Sequence, residues 1–175
     1  GVKLGFMSFF IKAVVEALRD VPQVNARLED GYMLQNHFYD IGVAVGTEKG
    51  LVVPVVRDCD KKSFAEIEKD IIDYATKARD GKITLEDLQG GVFTISSLGS
   101  IGGEGFTPIV NTPEVAILGL SRAEIKPVWD GESFLPRQIL PLSLSYDHRV
   151  VNGGDAGRFL TDLAALLSDV RRIIL

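Results

Sequence analysis

Asp147-His148-Arg149 stands between an apolar, alternating run, Ile139 to Ser145, and the pair Gly153-Gly154. The run reads as a strand, the glycines mark a turn, and apolar residues at helical spacing follow. A strand thus delivers a histidine to an edge. An imidazole, with an ordinary pKa near ~6.5, can take up a proton there and return it around neutral pH, and the flanking Asp147 and Arg149 are placed to set its surroundings. The same three residues also describe a surface histidine in a charged turn, and a short motif alone does not separate the two readings. His37 lies in a connection with no partner residue evident and reads as solvent-facing or structural.

The stretch from Asp147 to Gly153 resembles the Asp-His-Arg-x-x-Asp-Gly signature of the acyltransferase cores of 2-oxoacid dehydrogenase complexes, with Asn152 in place of its second aspartate. Four other stretches agree with that family in the same order: Ile41 to Val45 with Gly50 to Val55, Ala78 to Lys82, Gly90 to Ser97, and Pro113 to Gly119. The resemblance implies a chloramphenicol-acetyltransferase-like fold, a two-layer α+β sandwich within the α/β class that forms trimers. Their active sites lie between subunits, and the trimers build a hollow cubic or dodecahedral core. It also implies that residues 1–175 are an acyltransferase catalytic domain lacking its N-terminal segment, with no lipoyl or peripheral-subunit-binding domain.

The chemistry implied by the resemblance is transfer of an acyl group from the thiol of dihydrolipoamide to that of coenzyme A, a substrate here. The lipoyl group is carried on a separate domain, and no metal takes part. His148 would be the general base. Ser96, where the family carries an oxyanion-stabilising hydroxyl, lies 52 residues before His148. Asn152 would hold the turn beneath the histidine: it keeps a carbonyl acceptor, loses the charge and gains two donors. The alternative is a structural scaffold whose catalysis is weakened at Asn152. Ser97, Ser121 and Thr47 fall near positions that line the coenzyme A channel of relatives.

For the acyl group, the loop 102–111 and Pro127-Val128-Trp129 resemble acetyltransferase members, whereas Leu4 to Phe9 and Lys61 to Ile67 look closer to succinyltransferases. Acetyl is favoured, with succinyl or branched-chain transfer as the alternative. Partners implied are a lipoyl domain, a 2-oxoacid decarboxylase and dihydrolipoamide dehydrogenase. The expected location is the cytoplasm of a bacterium, or the mitochondrial matrix of a eukaryote.

The elements that must position these residues are legible from local pattern. A helix is predicted from Gly5 to Asp20, covered on most sides and closed by Pro22. Strands are predicted at Val24 to Leu28 and Tyr32 to Leu34 about an Asp30-Gly31 turn. Ile41 to Val45 and Leu51 to Val56 read as one hairpin, with Pro54 arguing for an edge or a bulge. Ser63 and Glu66 have the capping-box spacing of a helix that ends at Asp80-Gly81, and Thr84 to Asp87 looks like a shorter helical start. Val92 to Ser97 alternates as a strand and opens into the glycine-rich Leu98 to Gly105. Val115 to Leu120 is a fully apolar run. Asp130-Gly131 signals a hairpin turn, and Phe159, Leu160, Leu163, Ala164 and Leu167 mark a final amphipathic helix.

Composition closes off other classes. At 175 residues with 46% hydrophobic and 25% charged, the chain suits one globular core. A net charge of −5 without a basic cluster argues against nucleic acid. The apolar opening is interrupted by Lys12, Glu16, Arg19 and Asp20 too soon for a membrane span of about 20 residues. One cysteine, Cys59, and two histidines make no convincing zinc set and no internal disulfide. The glycine-rich loop lacks both the P-loop ending and dinucleotide spacing, and no Gly-x-Ser-x-Gly elbow supports a hydrolase. Antibiotic acetyltransfer on the same fold usually shows His-His where this chain has Asp147-His148.

Overall fold

The computed structural model describes residues 3–48, 50–101 and 103–174. Lys49 of the expected hairpin loop and Gly102 of the glycine-rich loop lie outside these residues. Three long helices, α1 (Phe6–Asp20), α2 (Phe64–Arg79) and α3 (Gly153–Ser168), are joined by a short α4 (Arg171–Ile174). Eleven strands follow the order β1 (Ala26–Glu29), β2 (Tyr32–Gln35), β3 (Ile41–Val43), β4 (Val45–Thr47), β5 (Gly50–Val52), β6 (Val55–Val56), β7 (Phe93–Ser97), β8 (Ala116–Leu120), β9 (Glu124–Trp129), β10 (Phe134–Ile139) and β11 (Leu142–Tyr146). The main sheet runs β11-β8-β7-β3-β6. Its middle strands β3, β7 and β8 are parallel, and both edge strands are antiparallel to them.

The helices cover one face of this sheet. Successive strand residues point to opposite faces, so Ile41, Val43, Phe93, Ile95, Ala116 and Leu118 all face the helices, where they meet Ile11, Val14 and Leu18 of α1 and Phe159 and Leu163 of α3. The Phe93 and Phe159 rings lie 5.5 Å apart, a tilted pair. The other face carries Gly42, Thr94, Ser96, Ile117, Gly119, Ser143 and Ser145, small or polar apart from Ile117. Part of it is covered by the segment between β7 and β8: a Cβ on Gly119 would stand 2.8 Å from Phe106 and 3.2 Å from Pro108. That glycine is required by the close approach.

Most predicted elements form, with instructive breaks. Pro22 to Val24 are a turn of 3-10 helix, so β1 starts at Ala26 rather than Val24. The hairpin expected from Ile41 to Val56 is folded in two: β4 and β5 pair with each other alone, while β3 and β6 join the main sheet. The crossing falls at Ala44, whose N–H donates to Ile95 O, and at Pro54, whose carbonyl accepts from Val43. Proline has no N–H to give a ladder, and β6 is indeed an edge strand. The run Ile139 to Ser145 is likewise not one strand. Ile139 ends β10, and β11 begins at Leu142 after the non-donating Pro141. The Asp130-Gly131 turn is a four-residue loop, because Asp130 Oδ1 accepts from the amides of Glu132 and Ser133 and delays the return strand to Phe134.

Both helix starts are capped as the sequence implies. Ser63 Oγ accepts from Glu66 N at 3.3 Å, and Glu66 Oε2 accepts from Ser63 N at 2.8 Å. Thr84 and Asp87 repeat this reciprocal pattern on one turn of 3-10 helix. The first turn of α1 is less covered than expected: Phe6 is 85% exposed, and Phe9 and Phe10 line an apolar groove of about 600 Å³ with Ile139, Leu142 and Leu167. No described helix is long and apolar enough to cross a membrane.

Candidate active site

His148 is exposed on the turn that follows β11. Asp147 N donates to Val115 O at 2.8 Å, and Asp147 O accepts from Val150 N and Val151 N, so the turn hangs from the start of β8. The carboxylate of Asp147 does not serve the histidine. Arg149 grips it through Nε at 3.0 Å and Nη2 at 2.6 Å, and these hydrogen bonds hold Asp147 down to about 2. The neighbour of the imidazole is Tyr146, its ring centroid 5.6 Å away at 40°. A two-residue spacing lets an arginine fold back on an aspartate, and this local pairing outcompetes the intervening histidine.

Asn152 is the N-cap of α3. Its Oδ1 accepts from Asp155 N at 2.9 Å, and its Nδ2 donates to Asp155 Oδ2 at 2.7 Å. Arg158 holds the other oxygen of Asp155 at 3.2 Å. The amide thus uses the donor that an aspartate lacks, since a carboxylate at 152 would face another carboxylate. Gly153 and Gly154 are the first residues of α3 rather than part of the turn.

The candidate hydroxyls gather at the far end of the sheet. Ser96, half-buried, and Ser97, exposed, end β7; Ser121, 3% exposed, follows β8; and Thr47 ends β4, which leaves the same end of β3. Ser97 Oγ accepts from Gly99 N, and Thr47 Oγ1 donates to Gly50 O at 2.8 Å. Ser121 Oγ is buried without a hydrogen-bond partner among the described residues. Ser96 pairs with Gly119, Gly119 pairs with Ser143, and His148 lies five residues beyond Ser143, on the turn after the antiparallel β11. At about 3.3 Å per residue and about 4.8 Å per strand, Ser96 and His148 of one chain are roughly 20 Å apart. The structure brings Ser96, Ser97, Ser121 and Thr47 to one end of the sheet and His148 with Asn152 to the other.

Sequence reasoning passed over Glu114, which is 6% exposed just before β8. Its Oε2 accepts from Thr94 Oγ1 at 2.7 Å and its Oε1 from Asn111 Nδ2 at 3.4 Å. Burial pushes its carboxyl up to about 7, against the pull of those two hydrogen bonds. The one available signal was an acidic residue directly abutting a fully apolar strand.

Comparison with known proteins matches residues 1–175 to the 2-oxoacid dehydrogenases acyltransferase (catalytic domain). The chain is 50% identical over 175 residues to the dihydrolipoyllysine-residue acetyltransferase component of the pyruvate dehydrogenase complex of Cupriavidus necator, covering all of this chain and 32% of that protein. It is equally, 50%, identical to the dihydrolipoyllysine-residue succinyltransferase component of the 2-oxoglutarate dehydrogenase complex of Bacillus subtilis, over 99% of this chain and 42% of that one. It therefore spans less than half the length of these relatives. Among solved structures, the Azotobacter vinelandii dihydrolipoamide acetyltransferase, studied for the role of a serine, a histidine and an asparagine in its catalytic mechanism, matches with a TM-score of 0.96 at 49% identity, covering 100% of this chain and 73% of that one. The cubic core of a pyruvate dehydrogenase multienzyme complex matches with a TM-score of 0.96 at 50% identity, with the same coverage. A chloramphenicol acetyltransferase matches at 17% identity with a TM-score of 0.65 over 93% of this chain and 78% of that one, which shows the expected fold alone.

Proposed function

Because the chain belongs to the family of 2-oxoacid dehydrogenase acyltransferase catalytic domains, we propose that it moves an acetyl group between the thiols of dihydrolipoamide and coenzyme A. The observation that carries this reading is a shared spacing. Ser96, His148 and Asn152 stand 52 and 4 residues apart, as do the serine, histidine and asparagine studied in the Azotobacter enzyme. An asparagine is among those three, so the reading of Asn152 as the mark of a disabled scaffold loses its motive.

A thiol with a pKa near ~8.5 is mostly protonated at neutral pH and needs a base. His148 takes the proton from the coenzyme A sulfur, and that sulfur attacks the carbonyl carbon of the acetyl thioester on lipoamide. A new carbon–sulfur bond forms as the carbonyl electron pair moves onto oxygen, where the Ser96 hydroxyl donates a hydrogen bond. Collapse breaks the bond to the lipoamide sulfur, and His148 returns its proton to that sulfur. Thr47, Ser97 and Ser121 offer hydroxyls along the approach of coenzyme A.

His148 and Ser96 of one chain are too far apart to share a substrate, which supports a site built between copies, with His148 from one and Ser96 from its neighbour. Similarity to a cubic core supports trimers assembling into a larger body. A lipoyl domain would bring the acetyl group from a 2-oxoacid decarboxylase, and dihydrolipoamide dehydrogenase would reoxidise it. Acetyl is favoured by the two structural matches at a TM-score of 0.96, and succinyl by the Bacillus relative at equal sequence identity. Measuring kcat/KM with acetyl- and succinyl-dihydrolipoamide separates these. Acetyl preference is expected, succinyl preference would reassign the acyl group, and turnover of neither would sink the proposed activity.

A further inference from the structure

Glu114 lies where the two halves of the proposed machinery meet within one chain. Its carboxyl accepts from Thr94 Oγ1 at 2.7 Å, and Thr94, only 1% exposed, has no water to fall back on. Thr94 sits two residues before Ser96 on the same face of β7, one pleat away. The pair is seated between glycines. A Cβ on Gly42 would stand 2.8 Å from Thr94 Oγ1, and one on Gly91 would stand 3.0 Å from Glu114 Oε1. On the other side, the residue after Glu114 supplies the carbonyl, Val115 O, from which the His148 turn hangs at 2.8 Å.

We propose that Glu114 is a positioning residue for acyl transfer, fixing through Thr94 the strand that presents Ser96 and through the adjoining backbone the turn that presents His148. This rests on the acyl-transfer reading of the site. Among the described residues no cation pairs with the carboxyl. Arg27, across an isolated bridge from Glu114, turns its Nε to Glu29 Oε2 at 3.0 Å. Arg57, beside Gly90, is held by Asp40 and by the carbonyls of Glu86 and Gln89. Burial without a counter-charge favours the protonated carboxyl up to about 7, and in that form it offers one donor and one acceptor, as a glutamine amide does. Glu114 is therefore a hydrogen-bonding strut, and an amide can take over the work of its protonated form.

The test compares the parent with Thr94→Val and Glu114→Gln in the full-length assembled protein, using acetyl-dihydrolipoamide and coenzyme A. Thr94→Val keeps the shape of the side chain and removes the hydroxyl. It is expected to lower kcat at least about tenfold with KM for coenzyme A within about threefold, since a small misplacement of a reacting group acts on the transition state. Glu114→Gln is expected to retain at least about a third of the parental kcat, because it preserves the donor and acceptor. Parental kcat in Thr94→Val, or a Glu114→Gln enzyme as slow as Thr94→Val, overturns the positioning role while leaving acyl transfer standing. An inactive parent sinks the acyl-transfer reading and this proposal together.

Discussion

His148 is exposed, and its only ring neighbour among the described residues is Tyr146 at 5.6 Å. Replacing it removes the proposed base and leaves the turn, which is held by backbone hydrogen bonds of Asp147. His148→Ala should therefore assemble normally and lose at least about 10²-fold in turnover, the usual contribution of a general base. An assay at parental rate in an assembled variant would remove His148 from the mechanism. Glu114 makes a prediction about stability. Its folded-state pKa of about 7 lies above the ordinary 4.5, so between those values the folded chain holds a proton that the unfolded chain has lost. The stability it contributes is complete below about 4.5 and is lost as pH rises through about 7. At roughly 1.4 kcal/mol per pH unit the effect is about 3 kcal/mol at most. Denaturant unfolding of parent and Glu114→Gln from acid to mildly alkaline pH should show the variant gaining on the parent over that window. Parallel curves would mean the carboxyl does not titrate there.

At the scale of an element, the start of α3 does two jobs, because the residue that caps the helix also closes the histidine turn. Asn152 meets Asp155 twice, at 2.9 and 2.7 Å, and Arg158 steadies the far oxygen. Asn152→Ala should cost about 1 kcal/mol of stability, the typical value of an N-cap. The same substitution releases one end of the turn, so kcat should fall further than the modest loss of stability explains. Ser63→Ala at the start of α2 removes a cap of the same strength far from the turn, and there the melting temperature should drop with kcat unchanged. Equal kinetic effects in the two variants would show that the cap of α3 has no special tie to catalysis.

For the whole molecule, the deciding feature is sheet direction. β7 runs toward the end where Ser96 lies and β11 runs the opposite way, so on the proposed reading each chain contributes half of two different sites. Inactive His148→Ala and Ser96→Ala chains, co-expressed in equal amounts, should recover about a quarter of parental activity, because in a symmetric trimer about that fraction of interfaces pairs an intact histidine with an intact serine. No recovery in mixed assemblies would place the site within one chain. The paired β9 and β10 stand apart from the main sheet with Ile125, Trp129 and Phe134 exposed. An isolated pair of strands is marginal in water, so this hairpin should be protected from hydrogen exchange in the assembly and exchange rapidly in dissociated chains.

What the sequence determined by itself is what neighbouring residues settle. The cap of α2 rests on Ser63 and Glu66, three residues apart; β7 and β8 rest on alternation and an apolar run; and α3 rests on its 3.6-residue stripe. The histidine turn was legible from its own residues, and the candidate hydroxyls from the resemblance that short motifs carry. What only the tertiary structure decided depends on partners distant in the chain. The hairpin of Ile41 to Val56 divides because Ala44 finds Ile95 O; Glu114 becomes a buried strut because Thr94 approaches it across 20 positions; and Asn152 needs its amide because Asp155 turns back to meet it. Above all, strand order and direction set Ser96 and His148 at opposite ends of one sheet. Sequence spacing cannot convey that separation, since the distance between two residues on different strands is fixed by hydrogen-bond register and not by the count of residues between them.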